Sequence, residues 1–484
     1  MTMPAAARRE RMSRVDTAWL RMDNDVNLMM IVGVWLLQPK LSYEAVCRRI
    51  EDKLLKYERF RQAVVRDATG AASWVTDESF DIHHHVVREK LVRGKGQSER
   101  EALQARVGEL AMTPLDPARP LWQFHLIEDF EGGSAMIARL HHCIGDGIAL
   151  ISVTMSITDG GSDPPARRRR DASDASDEGD GADWLTDAVL KPLGGLSAKA
   201  AGIAEASIAR ALDAFADPQR GLADSIDGAR TAGKVVSDIA AMALMADDSP
   251  TLLKGKPNGT KRVAWGEPIG LDQVKWIGKA LGCSINDVLL ASVSGAIGDW
   301  LRDQGDDPAG KEIRAMVPVN LRPLEDAWKL GNRFGLAPLV LPIGIANPVE
   351  RVYAVRARMN ALKTSYQPLL AFAVLAVAGQ SPKPVQDMIL GLFAKKATAV
   401  MTNVPGPAVP LTFCGSTLRQ TMFWVPASGD IGVGVSILSY GGGVQFSLIT
   451  DDALCPDPQA IIDRFEPEFE QLLLLTMMLP WGED

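Results

Sequence analysis

The stretch His141-His142-Cys143-Ile144-Gly145-Asp146-Gly147 is the most informative part of this 484-residue sequence. Two strand-like segments, residues 122–129 and 135–141, precede it, and Glu131-Gly132-Gly133-Ser134 between them predicts a β-hairpin. The apolar residues 148–157 that follow predict a buried helix. The stretch therefore forms a strand-to-helix turn, a place where a loop can hold a catalytic side chain against a ligand.

The composition restricts the classes of protein to which the chain can belong. Hydrophobic residues make up 46% of it, charged residues make up 23%, and the formal net charge is -8. Such a chain can bury a large core, and its acidic balance argues against nucleic-acid binding, which needs a basic face. The arginines of residues 1–16 are not followed by an apolar run like that of a signal peptide, and the apolar stretch 369–378 is shorter than the roughly 20 residues that span a bilayer. We therefore expect a cytoplasmic, globular protein.

The length and the local composition indicate two globular halves joined by a connection. Residues 162–183 combine Pro164-Pro165, the arginines of 167–170 and a run of Asp, Ser and Ala, which predicts a flexible linker. Residues 184–260 are predicted to form a helical connecting region, so that residues 1–161 and 261–484 are the two domains. Helices and strands are mixed in both halves, which predicts an α/β or α+β fold.

The second half contains one strong helix signal and a series of strand-like runs. Ser284 is a candidate N-cap with Asp287 three residues later, a variant of the capping box. The strand-like runs lie at residues 313–319, 337–343, 399–403, 432–439 and 444–450.

The paired histidines are the candidate catalytic residues. Histidine has an unperturbed pKa near neutrality, so it can accept a hydroxyl proton and later release it to a thiolate leaving group. Neighbouring side chains on a strand point to opposite faces, so His141 and His142 cannot both reach one substrate. Asp146 is expected to accept backbone N–H groups or to pair with an arginine. Gly147 indicates either a positive φ or the close passage of a ligand.

Several single features allow other interpretations. The two histidines alone would also suit a buried turn without catalysis. Cys143 is a weak candidate nucleophile, because sequence adjacency to His142 is not triad geometry. His83-His84-His85 suggests an exposed strand edge rather than zinc, since two ligands on one strand face are too few. The five cysteines show no metal or redox spacing.

Two further segments each allow two interpretations, one structural and one that involves lipid or coenzyme A. The arginines of 167–170 could attract an anionic membrane or the phosphates of coenzyme A, but the acidic run behind them favours a solvated linker. The apolar residues 369–378, with 390–393, suit either a core segment or an interfacial anchor.

The motifs together resemble a known family. The pattern HHxxxDG from His141 to Gly147 is the signature of the acyl-CoA-dependent acyltransferase superfamily, which includes chloramphenicol acetyltransferase and the condensation domains of peptide synthetases. Further motifs, in order from Ser13-Arg14-Val15-Asp16 to Pro456-Asp457, are similar to those of the bacterial wax ester synthase/diacylglycerol acyltransferase family. They are Pro120-Leu121-Trp122, Asn286-Asp287, Met316-Val317-Pro318-Val319-Asn320-Leu321-Arg322, Asn403-Val404-Pro405-Gly406-Pro407 and Ser439-Tyr440. The chain departs from the family at residues 27–32, where a Met-His-Val is frequent.

This resemblance implies two chloramphenicol acetyltransferase-like domains with the active-site channel between them. It implies that His142 is the general base, that Asn286 reaches it from the second half and that Asp146 is a scaffold. It implies acyl-CoA as co-substrate, diacylglycerol or a fatty alcohol as acceptor, direct transfer without an acyl-enzyme, and no bound cofactor or metal. Lipid substrates also imply peripheral contact with the inner face of the membrane or with lipid inclusions.

Two other functions stay open at this stage. One is a related acyltransferase or condensation enzyme that uses a carrier-protein thioester and another acceptor. The other is a non-catalytic lipid-inclusion protein that keeps the fold.

Overall fold

The computed structural model describes residues 9–67, 71–162, 247–322, 329–363 and 395–479, and single positions at 371, 375, 383, 384, 386, 387 and 391. The predicted linker, including the arginines of 167–170, lies outside the described residues except for residue 162. Most of the predicted helical connection lies outside them too. Its last part, residues 247–260, is described and forms turns and loops.

The first half of the chain supplies helices and strands in alternation. Its helices are α1 (Arg14–Arg21), α2 (Tyr43–Lys53), α3 (Ile82–His85), α4 (Glu99–Ala111) and α5 (Gly147–Ile157). Its strands are β1 (Arg9–Arg11), β2 (Met30–Gln38), β3 (Gln62–Arg66), β4 (Ala72–Thr76), β5 (Val86–Glu89), β6 (Trp122–Phe130) and β7 (Gly133–His141). Two 3-10 turns, Leu54–Lys56 and Glu58–Arg61, lie between α2 and β3.

The second half is also mixed. Its helices are α6 (Leu271–Leu281), α7 (Ile285–Asp303), α8 (Pro348–Lys363) and α9 (Gln459–Met477). Its strands are β8 (Lys261–Trp265), β9 (Ile269–Gly270), β10 (Ile313–Asn320), β11 (Phe334–Leu341), β12 (Ala399–Pro405), β13 (Thr412–Phe413), β14 (Ser416–Trp424), β15 (Val433–Tyr440) and β16 (Gly443–Asp451).

Within the described residues the strands form two large sheets and one small one. The order in the first large sheet is β13-β14-β2-β7-β6-β5, and the order in the second is β11-β10-β12-β15-β16-β8, with β9 paired to β16. The small sheet has the order β1-β4-β3. The predicted mixed fold with two sheet-based halves is confirmed.

The second half contributes strands β13 and β14 to the sheet of the first half, which the domain boundaries predicted from the sequence did not include. Strand β14 pairs antiparallel with β2, with Thr421 opposite Trp35 and Trp424 opposite Val32. Residues 412–424 therefore belong to the sheet of the N-terminal half, although they follow residue 261. This pairing buries Met422 and Trp424 against that sheet and joins the halves through backbone hydrogen bonds.

Two local signals in the sequence are confirmed. The β6–β7 hairpin turns at Glu131 and Gly132 with φ of 45° and 76°, the two positive values that a type I′ turn requires. Helix α7 begins with a full capping box, in which Ser284 and Asp287 each bind the other's backbone N–H. The Asp287 carboxylate is thereby used to accept the backbone N–H of Ser284 at the start of the helix.

The interpretation of residues 83–85 as an exposed strand edge is wrong. They form the one-turn helix α3, which Asp81 caps by accepting the N–H of His83. His85 is buried, and its ring stacks between Phe80 and Trp122 at centroid distances of 4.8 and 4.3 Å. The third histidine is therefore part of a buried aromatic stack.

Among the described residues no single helix is long and apolar enough to cross a bilayer. Helices α6 and α7 satisfy that test only when they are joined across a bend of 102°.

Candidate active site

The loop from His141 to Gly147 is held at its start by two neighbouring segments. The backbone N–H of His141 donates to the carbonyl oxygen of Leu121 at 2.9 Å, and that of His142 donates to the carbonyl oxygen of Met29 at 2.7 Å. Trp122, which is 1% exposed, anchors the first of these segments by donating from Nε1 to the carbonyl oxygen of Phe60 at 2.9 Å. Leu121 and Trp122, at the beginning of β6, thus hold the start of the loop.

The two histidines have different surroundings, as strand alternation predicts. The Nδ1 atom of His141 accepts the backbone N–H of Cys143 at 3.2 Å, and its Nε2 lies 3.2 Å from the carboxylate of Asp23. His142 instead lines a mainly apolar cavity of about 170 Å³. His141 is therefore tied to the protein, and His142 faces the space that a substrate could occupy.

The imidazole of His142 is enclosed by aromatic rings. The indole of Trp19 stacks on it at a centroid distance of 4.2 Å with 12° between the planes, and the ring of Phe334 lies at 5.5 Å. His142 is 4% exposed. Burial disfavours the charged imidazolium and lowers the pKa of His142 to about 4. The ring is consequently neutral at physiological pH, the state in which it can accept a proton.

Asp146 caps α5 and joins the two halves. Its Oδ1 accepts the N–H of Ala149 at 3.0 Å. Its Oδ2 accepts the N–H of Arg333 at 2.9 Å and an N–H of the Arg322 guanidinium at 2.8 Å. Both partners foreseen for this carboxylate, backbone N–H groups and an arginine, are present. Asp146 thus fixes the turn after His142.

Residues 329–333, named here the bridging segment, run from the second half across this loop. The N–H of Gly331 donates to the carbonyl oxygen of Ile144 at 3.0 Å. Arg322 donates to the carbonyl oxygens of Lys329 and Gly331 and so holds the segment in place. The loop from His141 to Gly147 is therefore also held in place by the C-terminal half.

Asn332 of the bridging segment contacts the backbone of His142 itself. Its Nδ2 donates to the carbonyl oxygen of His142 at 2.7 Å and also to Oδ1 of Asp16 at 2.8 Å. The same Asp16 oxygen accepts the backbone N–H of Asn332 at 3.0 Å. Asp16 is 6% exposed and Asn332 is 7% exposed, so this chain of contacts is shielded from water.

Two mainly apolar cavities share part of their walls, and His142 lines the first of them. The first, of about 170 Å³, lies between the halves, and the second, of about 140 Å³, lies between α5 and the N-terminal sheet. Residues that line both are Gly147, Ile151, Phe423 and Val425. Polar side chains in the wall of the first are His142, Asp146, Asn320, Thr402, Asn403 and Ser428.

The apolar stretch 369–378 is described at two positions only. Ala371 and Leu375 are buried and line the first cavity, which agrees with the core reading at those positions. The rest of the stretch, and residues 390–393 apart from Gly391, lie outside the described residues.

Gly147 does not have the positive φ that the sequence suggested. A Cβ atom built on it would meet nothing within 4 Å. The residue lines both cavities, so its missing side chain leaves space where they meet. The other reading, the close passage of a ligand, remains a prediction.

Some motif residues of the second half line the first cavity, and others lie behind its wall. Asn403 and Pro405 line the first cavity. Asn286 does not line it, and its Oδ1 instead accepts Nδ2 of Asn403 at 2.8 Å. Gly406 approaches β15 so closely that an added Cβ would lie 2.4 Å from the carbonyl oxygen of Ser439. Asn286 therefore contacts the cavity wall through Asn403.

Among the described residues no group of three or more His, Cys, Asp or Glu side chains is placed to hold a metal ion. Cys143 is completely buried and is not part of the wall of either large cavity.

Sequence reasoning assigned no role to Trp19, Asn332 and Phe334, although all three contact His142. The sequence offered one clue for Trp19. It lies three residues after Asp16 on a helix capped by Ser13, and residues at that spacing share one helix face, so Trp19 and Asp16 point the same way. Asn332 and Phe334 gave no usable signal, since their contacts cross between the halves of the chain.

Two family models match long stretches of the chain. The family model of the wax ester synthase/diacylglycerol acyltransferase catalytic domain matches residues 12–289, and that of the WS/DGAT C-terminal domain matches residues 330–473. A probable diacylglycerol O-acyltransferase of Mycobacterium tuberculosis strain H37Rv is 25% identical over 475 residues, which cover 96% of each chain.

Two solved structures share the fold. The wax ester synthase/diacylglycerol acyltransferase from Marinobacter aquaeolei VT8 superposes with a TM-score of 0.64 at 21% identity, covering 97% of this chain and 100% of that one. The first condensation domain of the calcium-dependent antibiotic synthetase superposes with a TM-score of 0.58 at 13% identity, covering 98% and 97%. Because the catalytic-domain model matches more than half of this chain, the chain belongs to the wax ester synthase/diacylglycerol acyltransferase family and is an acyltransferase.

Proposed function

We propose that this protein transfers the acyl group of acyl-CoA directly to the hydroxyl of diacylglycerol or a long-chain fatty alcohol, with His142 as general base. The observation that carries the proposal is a buried, neutral imidazole in the wall of an apolar cavity between the two halves. Its pKa, lowered by burial to about 4, keeps it in the proton-accepting form.

The chemistry follows from this placement. The imidazole accepts the hydroxyl proton while the alcohol oxygen attacks the thioester carbonyl carbon, and an ester C–O bond forms. The C–S bond then breaks, and the imidazolium returns the proton to the thiolate to give free coenzyme A. A positioned base of this kind contributes roughly 10²- to 10⁴-fold in rate. Because a thioester is already activated, positioning and exclusion of water supply the remainder.

The two adjoining apolar cavities are the reason for proposing two hydrocarbon substrates. An apolar chain gains about 0.8 kcal/mol for each methylene that it buries. Two apolar spaces that share the wall of Gly147, Ile151, Phe423 and Val425 could receive one chain each, with the reacting groups beside His142. No step requires a cofactor or a metal, and acyl-CoA acts as co-substrate.

The direct test follows the release of free coenzyme A from purified protein given acyl-CoA and an alcohol, with the ester identified by mass spectrometry. Diacylglycerol and hexadecanol together in one tube report the acceptor preference. We expect ester and coenzyme A in equal amounts. Silence with every alcohol would overturn the proposal in favour of a lipid-binding protein of the same fold.

Direct transfer has its own test. Incubation with acyl-CoA in the absence of alcohol should leave the intact mass of the protein unchanged. An added acyl mass that maps to Cys143 would contradict direct transfer and would restore the thiol as a nucleophile.

We further propose that the protein works at a lipid surface, because its acceptor and its neutral ester product partition there. Leu474, Met477 and Met478 at the end of α9 are 61%, 57% and 80% exposed and form an apolar patch suited to such a surface. Replacing Met477 and Met478 by Asp should reduce flotation with neutral-lipid emulsions. Val92→Asp, at an 86% exposed site elsewhere, is the control. Equal flotation of both variants and the unmodified protein would contradict the assignment of the patch.

A further inference from the structure

Three elements meet at the backbone of His142. Helix α1 supplies Asp16, the bridging segment supplies Asn332, and the catalytic loop supplies the carbonyl oxygen of His142. Asp16 Oδ1 accepts two N–H groups of Asn332, at 3.0 Å from the backbone and 2.8 Å from Nδ2. The amide is thereby fixed in one orientation, with Nδ2 donating to the His142 carbonyl oxygen at 2.7 Å.

Two buried atoms near this contact have no hydrogen-bond partner in the described part of the chain when the His142 ring is neutral. Oδ1 of Asn332 and Nδ1 of His142 are both buried without a hydrogen-bond partner among the described residues. A neutral imidazole has one N–H group, whereas the imidazolium has one on each nitrogen. The amide that already binds the backbone of His142 therefore keeps an unused acceptor for the state in which the ring carries the extra proton.

Trp19 and Asp16 extend this arrangement along α1. The helix presents Trp19 to the face of the imidazole and Asp16, three residues earlier, to Asn332. The ring and its backbone are held from the same helix, which the Ser13 side chain caps.

We propose that Asn332, oriented by Asp16, is a positioning residue for His142: it holds the backbone of the base and offers Oδ1 to the imidazolium formed during acyl transfer. This inference rests on the proposed function, because it needs His142 to be the base. It adds two residues on which the catalytic competence of that base depends.

The pKa of His142 gives a readout that a merely structural role would not move. Burial lowers this pKa, and the side chain of Asn332 is among the groups that oppose the shift. Removing that side chain should therefore lower the pKa further, and the acid limb of the kcat profile should move to lower pH. The smaller basicity and the looser ring should together reduce kcat.

The first experiment compares Asn332→Ala with Gln445→Ala. Gln445 is a matched control, because it is 3% exposed and its amide also donates to backbone carbonyl oxygens, but away from His142. We expect Asn332→Ala to lower kcat by roughly tenfold to hundredfold, as misplacement of a catalytic group does, with KM for acyl-CoA nearly unchanged. Gln445→Ala should lower the melting temperature and leave kcat as in the unmodified protein.

Variants at Asp16 test the orienting contact. Asp16→Asn keeps an oxygen acceptor and should retain most of kcat, whereas Asp16→Ala should lose as much as Asn332→Ala. The double variant Asp16→Ala/Asn332→Ala should lose no more than either single variant, because both changes remove one contact. If Asn332→Ala does not fold, Asn332→Ser takes its place with the same expectations.

An assay independent of turnover separates this inference from the proposed function. In protein labelled with ¹⁵N-histidine, the signal absent from His142→Gln reports the titration of His142. The inference predicts a lower pKa in Asn332→Ala than in the unmodified protein. An unchanged pKa, or a kcat equal to that of the Gln445→Ala control, overturns the positioning role. Absence of turnover in the unmodified protein overturns the proposed function instead.

Discussion

The guanidinium of Arg322 and the carboxylate of Asp146 lie 2.8 Å apart, with each side chain no more than 5% exposed. The two residues come from different halves of the chain, so this buried pair fixes the loop of His142 against the second half. Removing one partner of such a pair leaves a buried charge without compensation, which typically costs about 3–5 kcal/mol.

Asp146→Ala should therefore show its effect in thermal melting before it shows in the chemistry. We expect a loss of roughly 3–5 kcal/mol in the free energy of unfolding, since Arg322 stays buried without its partner. Thermal and denaturant unfolding measure this loss. The double variant Asp146→Ala/Arg322→Ala should lose less than the sum of the single variants. An unchanged melting temperature in Asp146→Ala would contradict the scaffold role.

His141→Ala should damage stability at least as much as rate. The side chain is buried and bonded to Asp23 and to the N–H of Cys143, and its removal leaves that buried N–H without a partner, which costs about 1–3 kcal/mol. Differential scanning calorimetry together with kcat measured well below the melting temperature separates the two effects. A variant with normal melting and abolished turnover would exchange the roles assigned to the two histidines.

Low pH should reduce the free energy of unfolding over a pH range set by the pKa of His142. The pKa of the buried ring is lowered from 6.5 to about 4, so its contribution to stability is complete above 6.5 and is lost as the pH falls toward 4. At about 1.4 kcal/mol per pKa unit the contribution is on the order of 3 kcal/mol. His142→Gln lacks this term, so its unfolding free energy should depend less on pH in that window. Parallel pH dependences for the two proteins would show that the ring is not titrated as its burial implies.

The space left by Gly147 should control the acceptance of long chains. Gly147→Val places a branched side chain where the two cavities meet, so kcat/KM should fall more for palmitoyl-CoA than for acetyl-CoA. Gly147→Ala, with a single methyl group, should have a smaller effect of the same sign. The ratio of kcat/KM for the two thioesters is the quantity to measure. An unchanged ratio in Gly147→Val would mean that neither chain passes this residue.

Two local signals in the sequence predicted the structure correctly, because near neighbours decide it there. The β6–β7 hairpin follows from Glu131 and Gly132, and the start of α7 follows from Ser284 and Asp287, because each depends on residues a few positions apart. The opposed surroundings of His141 and His142 follow from strand alternation in the same way.

Features decided by distant packing were not predictable from the sequence. The third residue of His83-His84-His85 is placed by stacking on Trp122, and β14 crosses into the sheet of β2. The contact of Asn332 with His142 spans 190 residues of sequence. The hydrogen bond between Asn286 and Asn403 on β12 likewise joins residues 117 positions apart. Contacts between the two halves have no periodicity or spacing by which a single sequence reveals them.

The measurement that most directly tests the account is the initial rate of coenzyme A release by His142→Gln, in saturating acyl-CoA and alcohol at neutral pH. Glutamine keeps a polar side chain of similar length but cannot accept and return the hydroxyl proton. We predict a fall in kcat of roughly 10²- to 10⁴-fold, with the circular dichroism spectrum of the unmodified protein retained. If the variant keeps most of its turnover, His142 is not the base and the proposed mechanism is wrong.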